Sequence, residues 1–272
     1  MEKVEPRLFD SAQEYWDCVA GAYDENFTRT LIGSTRRLAV WHELDRVFQP
    51  GQRVLELNCG TGIDAVHLAD RGITVLACDI SPRMVEIARS FANTVGSAQR
   101  TDFRVLPTER IDALWNEGPF DGAFSNFAGL NCVEDLPAVV RKLARLLHPG
   151  APVVVNMMGR FVPWEIMWYL AHGDAKRAVR RLRGGNSLSR GALTIRQPSV
   201  REITRMFALG FHLKMWRGIG IGVGPSYMEA WAQRFPHLTK RLAQVDNWIG
   251  GVSPFRNMAD CVLLEFERQH RP

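Results

Sequence analysis

The residue types and spacings able to do chemistry lie between positions 54 and 84. Val54-Leu55-Glu56-Leu57-Asn58-Cys59-Gly60-Thr61-Gly62 sets a carboxylate inside a short β-prone run and small residues directly after it. Glycines at 60 and 62 let the backbone approach a ligand, and the helix N-terminus that follows offers unpaired N–H groups and positive potential to an anionic group. Asp79 stands seventeen residues beyond Gly62, at the end of the next strand, where its carboxylate can accept two hydrogen bonds from a ribose diol. A small-residue turn with a distant acid points to a nucleoside ligand. The competing reading is a ligand-free connection with Asp79 as a turn or N-cap residue; the agreement of Glu56, Asp79 and Met84 favours the ligand site.

These residues need a sheet to position them. Residues 53–57, 74–78, 103–106, 122–125 and 152–156 are short apolar runs, and helical patterns separate them, with Ser81-Pro82 as N-cap and first helical residue and His148-Pro149-Gly150 closing 136–147. Strands alternating with helices through 50–157 predict an α/β, doubly wound, mostly parallel sheet with helices on both faces. The rhythm breaks over 158–198, resumes with a helix from Ser199 to Gly210 and a sixth strand at 211–216, and breaks again over 218–257. The run 260–266 supplies a seventh strand, central or antiparallel. Four parts are expected: an N-terminal helical lid at 1–50, a core at 51–157, a cap insertion at 158–198, and 199–272 completing the sheet around a second insertion at 218–257.

Of the 272 residues 46% are hydrophobic and 23% charged, which excludes a disordered tail, a collagen-like chain and a coiled coil. The net charge of +5 is uneven: 172–205 hold nine Lys or Arg against Asp174 and Glu202, so that segment is +7 and the remainder −2. Five cysteines, widely spaced and without a C-x-x-C pair, are read as free thiols of a reducing compartment. The start Met1 to Pro6 lacks a basic then apolar pattern, and the most apolar stretch, 151–170, is interrupted by Asn156, Arg160 and Glu165. Neither a signal peptide nor a membrane span is expected, and the expected location is the cytoplasm. The seven histidines have no metal-like spacing, so no metal is expected.

Over about 51–157 the sequence resembles the class I, seven-stranded, Rossmann-like S-adenosylmethionine-dependent methyltransferases, whose first motif is an acidic residue followed by G-x-G-x-G. Glu56 and Gly60-Thr61-Gly62 fit that motif, Asp79-Ile80-Ser81-Pro82-x-Met84 fits the second, and Phe120-Asp121 and Leu146 to Gly150 fit the later ones. The last two strands of the family fall at 211–216 and 260–266. The resemblance implies an S-adenosyl-L-methionine site, with S-adenosyl-L-homocysteine as product, formed by Tyr23, Glu56, Asn58, Cys59, Gly60, Gly62, Asp79, Ile80, Met84, Pro107, Thr108, Glu109, Asn126 and Phe127. One departure stands out: Asn58 replaces the first motif glycine. Asparagine tolerates left-handed backbone, and its side chain is placed either to contact the methionine portion or to narrow the pocket. Pro107-Thr108-Glu109 stands where the family often keeps an acid near the adenine.

On the acceptor side, Tyr15, Trp16 and Tyr23 either cover the core or close over the cofactor. The insertions are expected to build the acceptor chamber, with Arg160, Trp164, Trp168, Arg196 and Tyr227 as substrate residues and His172, His237 and Tyr227 as candidates for a base. Segment 160–184 reads as a lid, as an interfacial helix on an anionic membrane suited to a lipid-like substrate, or as a solvated basic face. The expected activity is methyl transfer to a small or medium-sized, partly apolar or aromatic acceptor, at O, N or C, by a monomer or homodimer. The alternatives are a nucleic-acid or protein methyltransferase, whose phosphates the +7 segment would track, and a non-catalytic binder of the same cofactor. Nucleic acid is not expected as partner, because the basic run is flanked by dense apolar residues and Ser125-Asn126-Phe127-Ala128 carries no base-flipping signature. A dinucleotide dehydrogenase is disfavoured by Ala65 where its third glycine would stand.

Overall fold

A computed structural model describes residues 9–182, 186–190 and 193–270; parts of the expected lid (1–8) and cap (183–185, 191–192) lie outside them. The first helices are α1 (Ala12–Tyr23), continued by a π-helical turn (Asp24–Thr28), and α2 (Leu31–Val47). Then β1 (Arg53–Leu57), α3 (Ile63–Asp70), β2 (Thr74–Asp79), α4 (Pro82–Val95), β3 (Thr101–Val105), β4 (Gly122–Ser125), α5 (Leu136–Leu146) and β5 (Pro152–Met158) alternate as expected. The cap follows, with α6 (Pro163–Ala171), α7 (Ala175–Ala178) and a hairpin of β6 (Asn186–Arg190) and β7 (Leu193–Arg196). After α8 (Val200–Phe207) and β8 (Phe211–Ile219) come α9 (Glu229–Arg234), α10 (Pro236–Ile249) and β9 (Cys261–Arg268).

Seven strands form one sheet in the order β3-β2-β1-β4-β5-β9-β8. Every neighbour pair from β3 to β5 is parallel, and β9 runs antiparallel to both β5 and β8. Two reversals make β8 point with β5, so both insertions leave from the carboxyl edge. Strand order reverses between β1 and β4, which makes their carboxyl ends the ligand crevice.

Strand alternation builds two cores. Val54 faces a layer with Val40, Leu44, Phe48, Val85 and Ala88, whereas Leu55 and Leu57 face Val139, Leu143, Phe207 and Phe266. The helices are anchored locally. Ser81 accepts from the Met84 N–H at 3.0 Å with Pro82 in the first turn, and Ser199 and Glu202 form a reciprocal capping box on α8. A third apolar cluster, Ile32, Val223, Met228 and Ala232 with Trp164, Trp168 and Trp231, ties the cap to α2.

The sequence reading differs from the structure in extents and in the cap. α2 begins at Leu31 within the expected lid, and β8 continues beyond 216 to Ile219 because Gly218 and Ile219 pair with Val262 and Cys261. The insertions are largely regular rather than irregular. In segment 160–184 the central arginines do not form a solvated face: Arg181 is 5% exposed and bonds Glu165 at 3.0 Å and Asp260 at 2.9 Å, while Arg180 bonds Glu165 at 2.9 Å. Those arginines neutralise buried acids.

Candidate functional site

The turn after β1 is the centre of the site. Asn58 adopts φ 58°, the left-handed conformation that its short amide side chain tolerates. That side chain is accommodated by a glycine on the loop after β4: a Cβ on Gly129 would lie 2.3 Å from the Asn58 Cβ. The two positions are therefore one fitted pair, and Gly129→Ala is expected to displace Asn58 and weaken cofactor binding about tenfold, with Asn58→Gly restoring it in the double variant. Titration calorimetry on the three proteins checks this, and an additive double variant would contradict it. Gly60 faces open space, with nothing within 4 Å of a Cβ built on it, so its backbone is bare toward the crevice. Gly62 serves packing instead: a Cβ there would meet Ala88 at 2.7 Å and Phe103 at 2.8 Å.

Asp79 sits across this turn. Its Oδ2 accepts from the Gly60 N–H at 2.8 Å and its Oδ1 from the Ser81 N–H at 2.9 Å, which leaves each oxygen a further lone pair for a diol. Burial raises its carboxyl above the ordinary value against those two donors. Glu56 is 1% exposed, and its Oε2 has no hydrogen-bond partner among the described residues. Burial, followed by the charge of Asp64, pushes its carboxyl well above the ordinary range.

One cavity takes in Trp16, Tyr23, Asn58, Gly60, Asp79, Ile80, Met84, Thr108, Glu109, Asn126 and Phe127, together with Ala12, Gly129, Cys132 and Val133. Four expected residues stand behind it: Glu56 and Cys59 are buried under the turn, Gly62 packs on α4, and Pro107 precedes the kinked 3-10 segment Thr108–Leu114, which presents Thr108 and Glu109. Gly129, Cys132 and Val133 were missed by sequence reasoning, since only the fold brings the loop after β4 over Asn58. Their signal was Gly129 itself, two residues past Phe127.

Two consecutive left-handed residues, Phe127 at φ 46° and Ala128 at φ 68°, turn the chain sharply after β4. Asn126 fixes this turn, accepting from the Phe127 N–H and from Asn156 at 2.8 Å each and donating to Asp64 at 2.8 Å. Asp64 also receives Arg37 at 2.5 Å and the Trp41 indole N–H at 2.7 Å. The N-terminal segment is held over both motif turns: Thr61 donates to Asp24 at 2.8 Å, and Ser81 and the Arg83 N–H donate to Asp17.

A second cavity adjoins the first through Trp16, Tyr23 and Phe127. It is walled by Tyr15, Val19, Asn26, Phe27, Ala128 and Met158, with Ser226, Arg36, Asp260 and Cys261. Edge-to-face rings run along its wall, Tyr15 on Trp16 at 5.1 Å and Phe27 on Phe127 at 4.8 Å. Thus Tyr15, Trp16 and Tyr23 line cavities rather than only covering the core. Burial pushes the Tyr23 phenol up to about 12 and the Cys261 thiol up to about 12. Burial raises Asp260 as well, but Arg36 and Arg181 together outweigh it and hold the carboxyl below its ordinary value.

The expected substrate and base residues are not brought to this cavity. Trp164 and Trp168 pack in the third apolar cluster, where Trp168 meets Tyr227 at 6.2 Å and His172 at 4.4 Å between ring centroids. Arg160 pairs with Glu202 at 3.5 Å on the surface, and Arg196 donates to the Glu134 carbonyl beside another groove. His172 is exposed, with Nδ1 2.8 Å from the Trp168 carbonyl, and His237 lies on the outer surface at the start of α10. The aromatic wall comes instead from α1 and the loop after β4, because α6 turns its tryptophans toward α9.

The seven-stranded sheet with one antiparallel strand thus carries a crevice built from the Gly60 turn, the Asp79 carboxylate and the N-terminal helices. Residues 54–150 match the family model described as a methyltransferase domain. The ubiquinone biosynthesis O-methyltransferase of Xanthomonas campestris pv. campestris is 35% identical over 115 residues, which cover 42% of this chain and 46% of that protein. The tRNA 5-carboxymethoxyuridine methyltransferase of Escherichia coli is 30% identical over 162 residues, covering 58% of this chain and 57% of that protein. The chain spans about half the length of these curated relatives. The solved structure of the CcbJ methyltransferase from Streptomyces caelestis shares the fold, with a TM-score of 0.64 at 17% identity over 96% of this chain and 99% of that one. The match over 54–150 and these relatives make the chain similar to the S-adenosylmethionine-dependent methyltransferases, whose fold it shares. The crevice fits that cofactor: Asp79 keeps free lone pairs, Gly60 is bare, and the Glu56 oxygen beneath the turn lacks a partner. Among the described residues, no helix is long and apolar enough to cross a membrane.

Proposed function

We propose that this chain methylates a small or medium-sized, partly apolar or aromatic acceptor held in the second cavity. The observation that carries the reading is the shared wall: Trp16, Tyr23 and Phe127 border both cavities, so a molecule in the aromatic one lies next to the methyl-bearing end of the other. In this reading Asp79 grips the ribose diol, the Gly60 backbone and Asn58 receive the amino-acid end, and Thr108, Glu109 and Cys132 border the adenine. The bound sulfonium supplies both the methyl group and the leaving group. The chain's own residues hold the acceptor near attack distance and exclude water, which is most of what such a transfer requires.

No group with basicity suited to neutral pH is supplied by Tyr23, Cys261 or Asp260, because the first two are pushed up and the third is pinned by two arginines. No histidine lines either cavity among the described residues. The acceptor therefore brings a nucleophilic atom already unprotonated, or readily ionised, at working pH. The relative named for O-methylation in ubiquinone biosynthesis supports a small-molecule acceptor. The tRNA relative supports the rival of a nucleic-acid substrate, but Arg180 and Arg181 are committed to Glu165 and Asp260 and leave fewer cations for phosphates. Incubation with methyl-labelled cofactor, an aromatic acceptor panel and total RNA, read by mass, tests the proposal. Label in apolar aromatic compounds is the expected result. Label only in RNA or in highly polar molecules overturns it, and cofactor binding without any transfer would leave a non-catalytic binder.

A further inference from the structure

The cap carries an outer surface that neither cavity uses. On α10, Leu238, Val245 and Trp248 recur at i, i+7 and i+10 and share one outward arc; Val252 and Phe255 follow in the turn after it. Trp248 is 84% exposed, and Leu238, Val245, Val252 and Phe255 are each more than two-fifths exposed. Phe235 extends the patch toward Trp231, 5.5 Å away between ring centroids, and so to the cluster that joins the cap to α2. The charges on this surface have one sign. Arg234, Lys240 and Arg241 are exposed within 233–257, and the segment's single acid, Asp246, is buried and accepts from the Ile221, Gly222 and Val223 N–H groups.

We propose that the outward face of α10 and the turn after it dock on an anionic lipid surface, with Trp248, Val245 and Val252 entering the headgroup layer and Arg234, Lys240 and Arg241 meeting its phosphates. An amphipathic helix with exposed tryptophan, aliphatic neighbours and cations without anions is the composition that such a surface selects. Charge argues against a second copy as occupant, since a twofold contact would set the same arginines and lysine against themselves. The open groove at the start of the helix, lined by Arg234, Phe235, Pro236, His237, Leu238 and Arg241, carries the same positive charge and no acid. Docking here would deliver amphiphilic acceptors from the bilayer, which deepens the acceptor reading above and rests on it for that consequence alone.

Vesicle sedimentation without any acceptor tests the docking. The protein is expected to sediment with phosphatidylglycerol-rich vesicles and not with pure phosphatidylcholine, and added salt weakens the association. Trp248→Ala is expected to reduce partitioning about tenfold, and Lys240→Gln with Arg241→Gln roughly 30-fold. Each variant should bind S-adenosylhomocysteine as the parent does, which separates loss of docking from misfolding. No retention on anionic vesicles, equal retention on neutral ones, retention indifferent to both variants, or a patch that instead mediates a dimer lost in Trp248→Ala would each overturn the proposal. Failure of methyl transfer with vesicle binding intact would count against the acceptor reading and leave the docking in place.

Discussion

Asp260→Ala is expected to destabilise the protein by about 3–5 kcal/mol, because it leaves Arg36 and Arg181 charged and buried without their common partner. Arg36 bonds Asp260 Oδ2 at 2.5 Å and Arg181 bonds Oδ1 at 2.9 Å, and the side chains of all three are at most one-tenth exposed. For a chain of this size such a loss lowers Tm by on the order of 10 °C, which a thermal melt reads directly. The pH dependence fixes the sign. A carboxyl whose folded-state value lies below its unfolded value stabilises fully above the ordinary aspartate range, and that contribution is lost as pH falls through the folded value. The gap in Tm between parent and variant should therefore be widest near neutrality and shrink in acid. A gap that widens in acid would contradict the ion-cluster account.

Asp79→Ala is expected to weaken cofactor binding by about 1–3 kcal/mol through loss of charge-assisted hydrogen bonds. That corresponds to roughly 5- to 150-fold in Kd. The same change frees the Gly60 and Ser81 N–H groups, so part of the loss comes from a looser turn. Asp79→Asn keeps one carbonyl acceptor and should fall between alanine and the parent. Because burial raises the parent carboxyl, affinity should also decline as pH drops through its folded-state value, where the protonated acid accepts less well. Calorimetry with S-adenosylhomocysteine across pH reads both effects, and an affinity unchanged in Asp79→Ala would remove the ribose assignment.

The cofactor half of the site is legible in the sequence because it is local. Glu56, Asn58, Gly60 and Asp79 belong to two adjacent strand ends, and β1 and β2 pair in register from Arg53 with Thr74 to Leu57 with Cys78. Doubly covered strands also announce themselves as nearly unbroken apolar runs, as at 74–78, 152–156 and 260–266, whereas the edge strands β3 and β8 are legible mainly from their place in the alternation. The second cavity is not legible in this way. Its walls come from α1, the loop after β4, the end of β5 and the start of β9, contacts that span most of the chain and leave no periodic trace. The tryptophans of α6 are an instructive case: Trp164 and Trp168 have the composition of a substrate wall, and the structure packs them against Trp231 and its neighbours, more than sixty residues on. Likewise the arginines at 180 and 181 look solvated until Glu165, and for Arg181 also Asp260, is brought beneath them.

The antiparallel run of β9 has one more consequence. Because that strand starts, rather than finishes, at the crevice edge, Asp260 and Cys261 furnish the floor of the second cavity while the residues directly after them hold the sheet together. The shape of that cavity can therefore be altered through α1 or the Ser226 turn at little structural cost, but scarcely through the floor, where any change that reshapes the room also unsettles the building.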